Sequence, residues 1–239
     1  MPKFFINEPP QGEAVITGED ARHIGYSLRM RVGEIITLCA DGTDYICEIN
    51  SITPAEVRCS VLDHKPSEGE PSIKLTLYQA IPKGDKMETI IQKSVELGVT
   101  RIVPMLSARC VSRPDGASAV KKRERWQKIA QAAAKQCGRG LIPEVAQIHS
   151  FEEALRFAAA LDRGFFFYEH AERKLEARYL FGAGEIGIVI GSEGGFEERE
   201  ADAALRAGLY VTSLGPRILR CETAPIVAET AIMLLTGNL

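Results

Sequence analysis

The alternation of apolar and polar positions changes character near residue 70. Before that point it has the period of two that marks half-buried strands, over residues 34–39, 45–49 and 56–62. Asp41-Gly42 separates the first two runs and predicts a hairpin, because both residues tolerate positive φ. A short helix is expected between Gly18 and Met30. Residues 64–71 are polar, hold two prolines and predict a linker.

Beyond the linker, strand-like runs alternate with helical ones. Residues 73–81 predict a strand rich in β-branched side chains. Asp85 then opens a helix with Met87, Ile90, Ile91 and Val95 on one face, and Gly98 closes it. A strand over 101–106 and a long helix over 119–137 follow, the helix burying Trp126, Ile129, Ala130, Ala133 and Cys137. Ser150 and Glu153 have the spacing of a capping box at the head of the next helix. Strands over 164–168, 186–190 and 210–214 and helices over 197–207 and 225–235 complete the pattern. Such alternation calls for a largely parallel sheet covered on both faces. The expected division is a small β-rich domain, 1–70, and an α/β domain, 71–239.

Composition changes this picture in two places. Hydrophobic residues make up 45% of the chain and charged residues 26%, the balance of a soluble globular protein. No apolar run approaches the length of a membrane helix, and the first eight residues lack the core of a signal peptide, so a cytoplasmic protein is expected. The six cysteines include no CxxC pair and the four histidines are scattered, which argues against a metal site. The net charge of −3 hides an uneven distribution: −6 over residues 1–70, +9 over 71–140 and −6 over 141–239. A basic middle in an acidic chain suggests a polyanion-binding surface, with a solvated helical face as the plainer alternative.

Two loops carry candidate chemistry, both at the carboxyl ends of predicted strands, where parallel sheets build ligand sites. Residues 191–196 place three glycines in a turn that leads into a helix N-terminus, a setting that suits close backbone approach and an anionic group. Residues 214–224, LGPRILRCETA, combine arginines, a glutamate and a threonine with apolar side chains between a buried strand and a buried helix. Thr223 as N-cap with Pro225 at the helix start is the structural reading of the same segment.

These residues resemble the RsmE family of 16S ribosomal RNA (uracil-N3)-methyltransferases, of the SPOUT superfamily. The matching segments are residues 83–88 (KGDKME), 93–99 (KSVELGV), 125–139, 190–196 (IGSEGGF) and 214–224, the last being the most specific. The resemblance spans essentially the whole chain. It implies a PUA-like β-barrel RNA-binding domain followed by a SPOUT-type α/β domain with a deep C-terminal trefoil knot. It also implies a homodimer, S-adenosyl-L-methionine as methyl donor, and small-subunit ribosomal RNA or the assembled small subunit as partner. Where the family usually has proline this chain has Ser192, which lacks a fixed φ and predicts a slightly more mobile turn.

On this reading Gly191, Glu193, Gly194, Gly195, Leu214, Gly215, Ile218, Leu219, Thr223 and Ala224 are candidates for the donor site, with Tyr168 and Glu169 bordering it. Uridine N3 carries a proton at neutral pH, so its methylation needs a base or a cation that stabilises the uridine anion. Arg220 is the candidate cation, and Glu222 the group that orients it or assists proton removal. The alternative is an Arg220–Glu222 ion pair that only shapes the loop. For RNA, Lys121, Lys122, Arg123, Arg125 and Lys128 form a basic stripe, supported by Arg109 and Arg113. Arg22, His23, Arg29 and Arg31 form a second cluster, whose arginines could instead pair with Glu19, Asp20 and Glu34. Two other functions remain open: a SPOUT methyltransferase acting on another RNA, and a non-catalytic RNA-binding ribosome assembly factor. Stoichiometric uptake of S-adenosylmethionine separates the second from an enzyme.

Overall fold

A computed structural model describes all residues, 1–239. The chain divides into two compact units. The first comprises residues 1–70 together with 134–141, and the second residues 71–133 and 142–239.

In the first unit β1 (Lys3–Phe5), β2 (Glu13–Thr17), β3 (Ile35–Ala40), β4 (Thr43–Ile52) and β5 (Glu56–Pro66) form one sheet in the order β1-β3-β4-β5-β2. The hairpin between β3 and β4 turns on Asp41 and Gly42, with φ of 48° and 74°, the left-handed pair that Asp-Gly supplies at low cost. Ile36, Leu38, Cys47, Ile49, Val57 and Cys59 point inward and make the core. Helix α1 (Gly18–Arg22) continues into a wider π-type turn, His23–Ser27, whose Ile24 is fully buried in that core.

Three features of this unit depart from the sequence pattern. β1 and β2 were not evident, being short; β2 shows the alternation only through Ala14 and Ile16. Residues 64–66, read as linker, extend β5 and pair with 43–45, with His64 stacked on Tyr45 at 5.9 Å. Residues 134–141 join the first unit despite their place in the chain. A buried two-pronged ion pair holds them there: Arg139 Nε and Nη2 reach Glu70 Oε1 and Oε2 at 2.8 and 2.7 Å. The N–H groups of Gly140 and Leu141 also donate to Glu70 Oε1. Burial pushes the Glu70 carboxyl up, but Arg139 and these two N–H groups together hold it below its ordinary value.

The second unit is built on β6 (Lys74–Ala80), β7 (Arg101–Leu106), β8 (Glu144–Val145), β9 (His149–Ser150), β10 (Arg163–Phe167), β11 (Glu185–Ile190) and β12 (Tyr210–Thr212). They form a wholly parallel sheet in the order β12-β10-β11-β6-β7-β8, with β9 also on β7. The helices are α2 (Lys86–Glu96), α3 (Gly116–Cys137), α4 (Phe151–Ala159), α5 (Glu198–Arg206) and α6 (Thr223–Leu235). At the head of α4 the capping box is closed in both directions: Glu153 N–H donates to Ser150 Oγ at 3.2 Å, and Ser150 N–H to Glu153 Oε2 at 2.9 Å. Phe165, Phe166 and Phe167 are buried, as a core strand requires. The two short strands β8 and β9 carry too few residues to show a period. No helix is long and apolar enough to cross a membrane.

The chain lays down β6, β7 and β8 outward from the middle, then returns to the other side of β6, where β10 comes first, β11 fills the gap between β10 and β6, and β12 takes the edge. The order in which strands are added thus switches sides at β6/β11. The crevice at the carboxyl ends beside such a switch is where open sheets bind ligands.

Candidate functional site

Three connections meet at that end of the sheet: Tyr168 and Glu169 after β10, residues 191–196 after β11, and residues 213–224 after β12. With Lys86 from the first turn of α2 they enclose a cavity of about 510 Å³. That is the size range of small-molecule and cofactor sites, roughly 300–1,000 Å³.

The glycine-rich turn is shaped by its own packing. Gly195 has φ +63°, and its N–H donates to Ser192 O at 2.9 Å. A Cβ there would lie 2.8 Å from Glu169 Oε1, and one on Gly194 would lie 2.9 Å from Arg109 Cβ. A larger residue at Gly194 would press on the Arg109 brace, whereas at Gly195 it is the positive φ that disfavours a side chain. Gln79, fully buried at the end of β6, donates from Nε2 to Ala80 O at 3.0 Å and to Gly191 O at 3.1 Å, joining neighbouring strand ends. Phe196 closes the turn by packing on Phe166, ring centres 4.2 Å apart. Ser192 is buried, and its Oγ donates to Arg109 O at 3.4 Å while Arg109 Nη1 donates to Gly194 O at 2.8 Å. This tether restrains a turn that has no proline ring to fix it.

Charges gather at one wall. Lys86 Nζ lies 3.1 Å from Glu193 Oε1 and 3.3 Å from Glu222 Oε2. It also points at Cys221 Sγ, 3.8 Å away, and that thiol donates to Glu222 Oε2 at 3.2 Å. Lys83 N–H donates to both Glu193 oxygens, at 3.0 and 3.3 Å. The consequences for ionisation are consistent. Glu222 is held below its usual value, first by its own backbone N–H and then by Cys221 and Lys86, against burial. Burial pushes Glu193 up, but its backbone N–H, Lys86 and Lys83 outweigh it and the carboxyl titrates low. Lys86 is raised, chiefly by its bond to Glu193. Burial and the Glu222 carboxylate push the Cys221 thiol up to about 12, so it is not a nucleophile at neutral pH.

Of the residues singled out in the sequence, Tyr168, Glu169, Gly191, Glu193, Gly194, Gly195, Leu214, Gly215, Ile218, Leu219, Arg220 and Ala224 line this cavity. Glu222 and Thr223 do not. The Arg220–Glu222 ion pair is not formed: Glu222 is engaged by Lys86, and Arg220 has no ion-pair partner. Thr223 is not the N-cap but the first residue of α6, and Glu222 precedes it with helical φ and ψ of −84° and −20°. The chain is already turning there, since the N–H groups of Thr223 and Ala224 both donate to Arg220 O. Lys86, Phe167, Ile190, Ser192, Phe196, Ser213, Arg217 and Cys221 complete the lining and were not anticipated. Lys86, Ile190, Ser192, Phe196, Arg217 and Cys221 lie inside segments that the sequence marks as distinctive; Phe167 and Ser213 are strand-end positions that only the sheet register brings together.

The basic clusters fare differently. Arg22, His23, Arg29 and Arg31 are exposed on the first unit. None of the three arginines pairs with Glu19, Asp20 or Glu34 through its side chain, and Asp20 is taken by Lys135 at 2.8 Å. On α3, Lys121, Arg123 and Lys128 are exposed, whereas Arg125 pairs with Glu88 at 2.6 Å and Lys122 lies over the Trp126 ring. Arg109 and Arg113 are not part of that stripe. Arg109 braces the glycine turn, and Arg113 donates to the carbonyls of Ser107, Ala108 and Cys110.

Comparison with known proteins agrees with this geometry. Residues 69–233 match the family model of an RNA methyltransferase domain, and residues 16–62 that of an RNA methyltransferase PUA domain. The chain is 38% identical to ribosomal RNA small subunit methyltransferase E of Bacillus subtilis (strain 168), over 97% of this chain and 93% of that one. Among solved structures, ribosomal RNA small subunit methyltransferase E from Neisseria gonorrhoeae, bound to S-adenosyl methionine, superposes with a TM-score of 0.90. It is 34% identical, with 98% of each chain covered. A putative methyltransferase from Legionella pneumophila, in complex with the cofactor SAM, gives a TM-score of 0.88 at 31% identity over 98% of this chain and 97% of that one. The α/β unit with its strand-end cavity, the PUA domain ahead of it and the near end-to-end match to these relatives lead to one conclusion: the chain belongs to the ribosomal RNA small subunit methyltransferase E family of RNA methyltransferases.

Proposed function

We propose that this protein methylates N3 of a uridine in small-subunit ribosomal RNA, taking the methyl group from S-adenosylmethionine. The observation that carries this reading is the cavity formed where the connections after β10, β11 and β12 meet, in a chain whose relatives are named as small-subunit ribosomal RNA methyltransferases and include donor-bound structures.

The residues present fit such a donor. The cavity volume suits a molecule of that size, and Ile190, Leu214, Leu219 and Ala224 offer apolar contact for an adenine ring. A Cβ on Gly215 would meet nothing within 4 Å, which leaves space along the loop that holds the other wall. S-adenosylmethionine supplies an electrophilic methyl group on a sulfonium centre. The chain's task is alignment of the acceptor and stabilisation of the charge that develops on it. Arg220, at the cavity and without an ion-pair partner, is placed to stabilise negative charge on the uracil oxygens. Glu222 titrates low and is bonded to Lys86 and Cys221, which makes it a weak acceptor for the N3 proton. Its part is therefore to orient the loop rather than to take the proton.

The C-terminal trefoil knot, the homodimer and a cytoplasmic site of action belong to the same proposal. The exposed apolar side chains Val227, Leu234 and Leu235 on α6 support pairing of two copies. RNA contact is assigned to Arg22, His23, Arg29 and Arg31 and to Lys121, Arg123 and Lys128, all open to solvent.

The test uses labelled S-adenosylmethionine, the purified protein and small ribosomal subunits from cells lacking this modification, followed by digestion of the RNA to nucleosides and mass spectrometry. Label in N3-methyluridine is the expected result. Label in another nucleoside would keep the methyltransferase and remove the uracil-N3 assignment. Absence of both label and donor binding would leave an RNA-binding assembly factor.

A further inference from the structure

We propose that Lys86 is a positioning residue whose single ammonium group fastens the two donor-binding loops to each other and thereby sets donor affinity. This rests on the donor reading of the cavity. Glu193 stands on the turn after β11 and Glu222 on the loop after β12, and their carboxylates face each other across one nitrogen, at 3.1 and 3.3 Å. Two carboxylates so placed repel unless a cation or a shared proton lies between them. Lys86 supplies the cation from a firm base. It sits in the first turn of α2, whose Met87, Ile90, Ile91 and Val95 are buried and which packs on α6. Lys83 N–H adds a second hold on Glu193, and the Cys221 thiol a second hold on Glu222. The other charged groups at the cavity are Glu169, Arg217 and Arg220, none of which pairs with Lys86.

The half-exposed setting of this cluster decides what losing it does. Lys86, Glu193 and Glu222 keep side-chain exposures of 36, 28 and 24%, a setting in which ion pairs add little to global stability. The effect falls instead on the two loops, which must be held together before a ligand binds between them. Lys86→Met is expected to weaken donor binding ~10-fold while leaving the melting temperature nearly unchanged. Lys86→Arg, which keeps the charge, restores most of the affinity.

Dependence on pH separates this role from a merely structural one. In the Lys86→Met protein one of the two facing carboxylates takes up a proton as pH falls from 8 to 5, and the shared proton replaces the ammonium. The deficit against the unmodified protein therefore shrinks at low pH. Adding Glu193→Gln to Lys86→Met has the same effect at pH 8, because the amide donates to Glu222.

The experiment is titration calorimetry of S-adenosylmethionine into the full-length protein and these three variants at pH 5, 6.5 and 8, with thermal melts alongside. A Lys86→Met deficit that is relieved by low pH, by Lys86→Arg and by Glu193→Gln is the expected result. A Lys86→Met affinity within twofold of the unmodified protein, or a deficit insensitive to all three, overturns the inference alone. Failure of the unmodified protein to bind the donor overturns the donor reading as well.

Discussion

Arg220 lines the cavity without an ion-pair partner, whereas the neighbouring Glu222 is held by Lys86 and Cys221. The two side chains therefore predict different phenotypes. Arg220→Ala should lower single-turnover methylation ~100-fold, the scale of losing one oxyanion-stabilising group, and change donor affinity only a few-fold. Equal loss in both measurements would make Arg220 a donor-binding residue instead. Gly195 tests the turn itself. Its φ of +63° disfavours any side chain, and alanine there would also push aside the exposed Glu169 carboxylate, whose oxygen lies 2.8 Å from where a Cβ would stand. Gly195→Ala should cost about 1–2 kcal/mol in urea unfolding and weaken donor binding, since the strain falls on the cavity wall. Ser192 has no ring to fix its φ, and the bond from its Oγ to Arg109 O restrains the turn instead.

At the scale of the element, α6 carries an unusual burden. Glu229 is fully buried among its apolar neighbours, with Ser94 Oγ donating to Oε1 at 2.8 Å and no partner for Oε2. Burial raises its pKa from 4.5 to about 8, against the Ser94 bond. The native state then keeps a proton that the unfolded chain releases above its own pKa. Stability must fall as pH climbs from about 4.5 towards 8 and level off beyond, at up to ~1.4 kcal/mol per unit from this one group. Glu229→Gln keeps the shape and removes the proton. Its melting temperature should exceed that of the unmodified protein increasingly from pH 5 to pH 8; parallel curves would show that Glu229 is hydrated and ordinary.

Two expectations belong to the whole molecule. Light scattering should give about twice the 26.2 kDa of one chain, and Leu234→Glu should reduce that mass if α6 forms the contact. The exposed arginines of the first unit should act through phosphates. Replacing Arg22, Arg29 and Arg31 together by alanine should lower the slope of log affinity against log salt for the RNA by roughly 2, with no change in donor binding. An unchanged slope would move RNA recognition to the α3 stripe.

Much of this protein was legible in local sequence because local physics made it so. The Asp41-Gly42 hairpin, the Ser150–Glu153 capping box and the apolar face of α2 are each set by residues a few positions apart, and each forms as the pattern requires. The two loops that line the cavity were legible because three glycines in one and two arginines with a glutamate in the other stand out between apolar strands and helices. What the pattern could not carry was anything decided at long range. Strands as short as β8 and β9 have no period to read, and residues 64–66 became strand only because residues 43–45 offered them a ladder. Glu70 drew residues 134–141 into the first unit across some seventy positions of chain. In the same way the partner of Glu222 is not Arg220, two residues away, but Lys86, delivered from the far side of the switch in strand order. Sequence specifies which groups are present and which turns they make; the order of strands in the parallel sheet decides which charges meet.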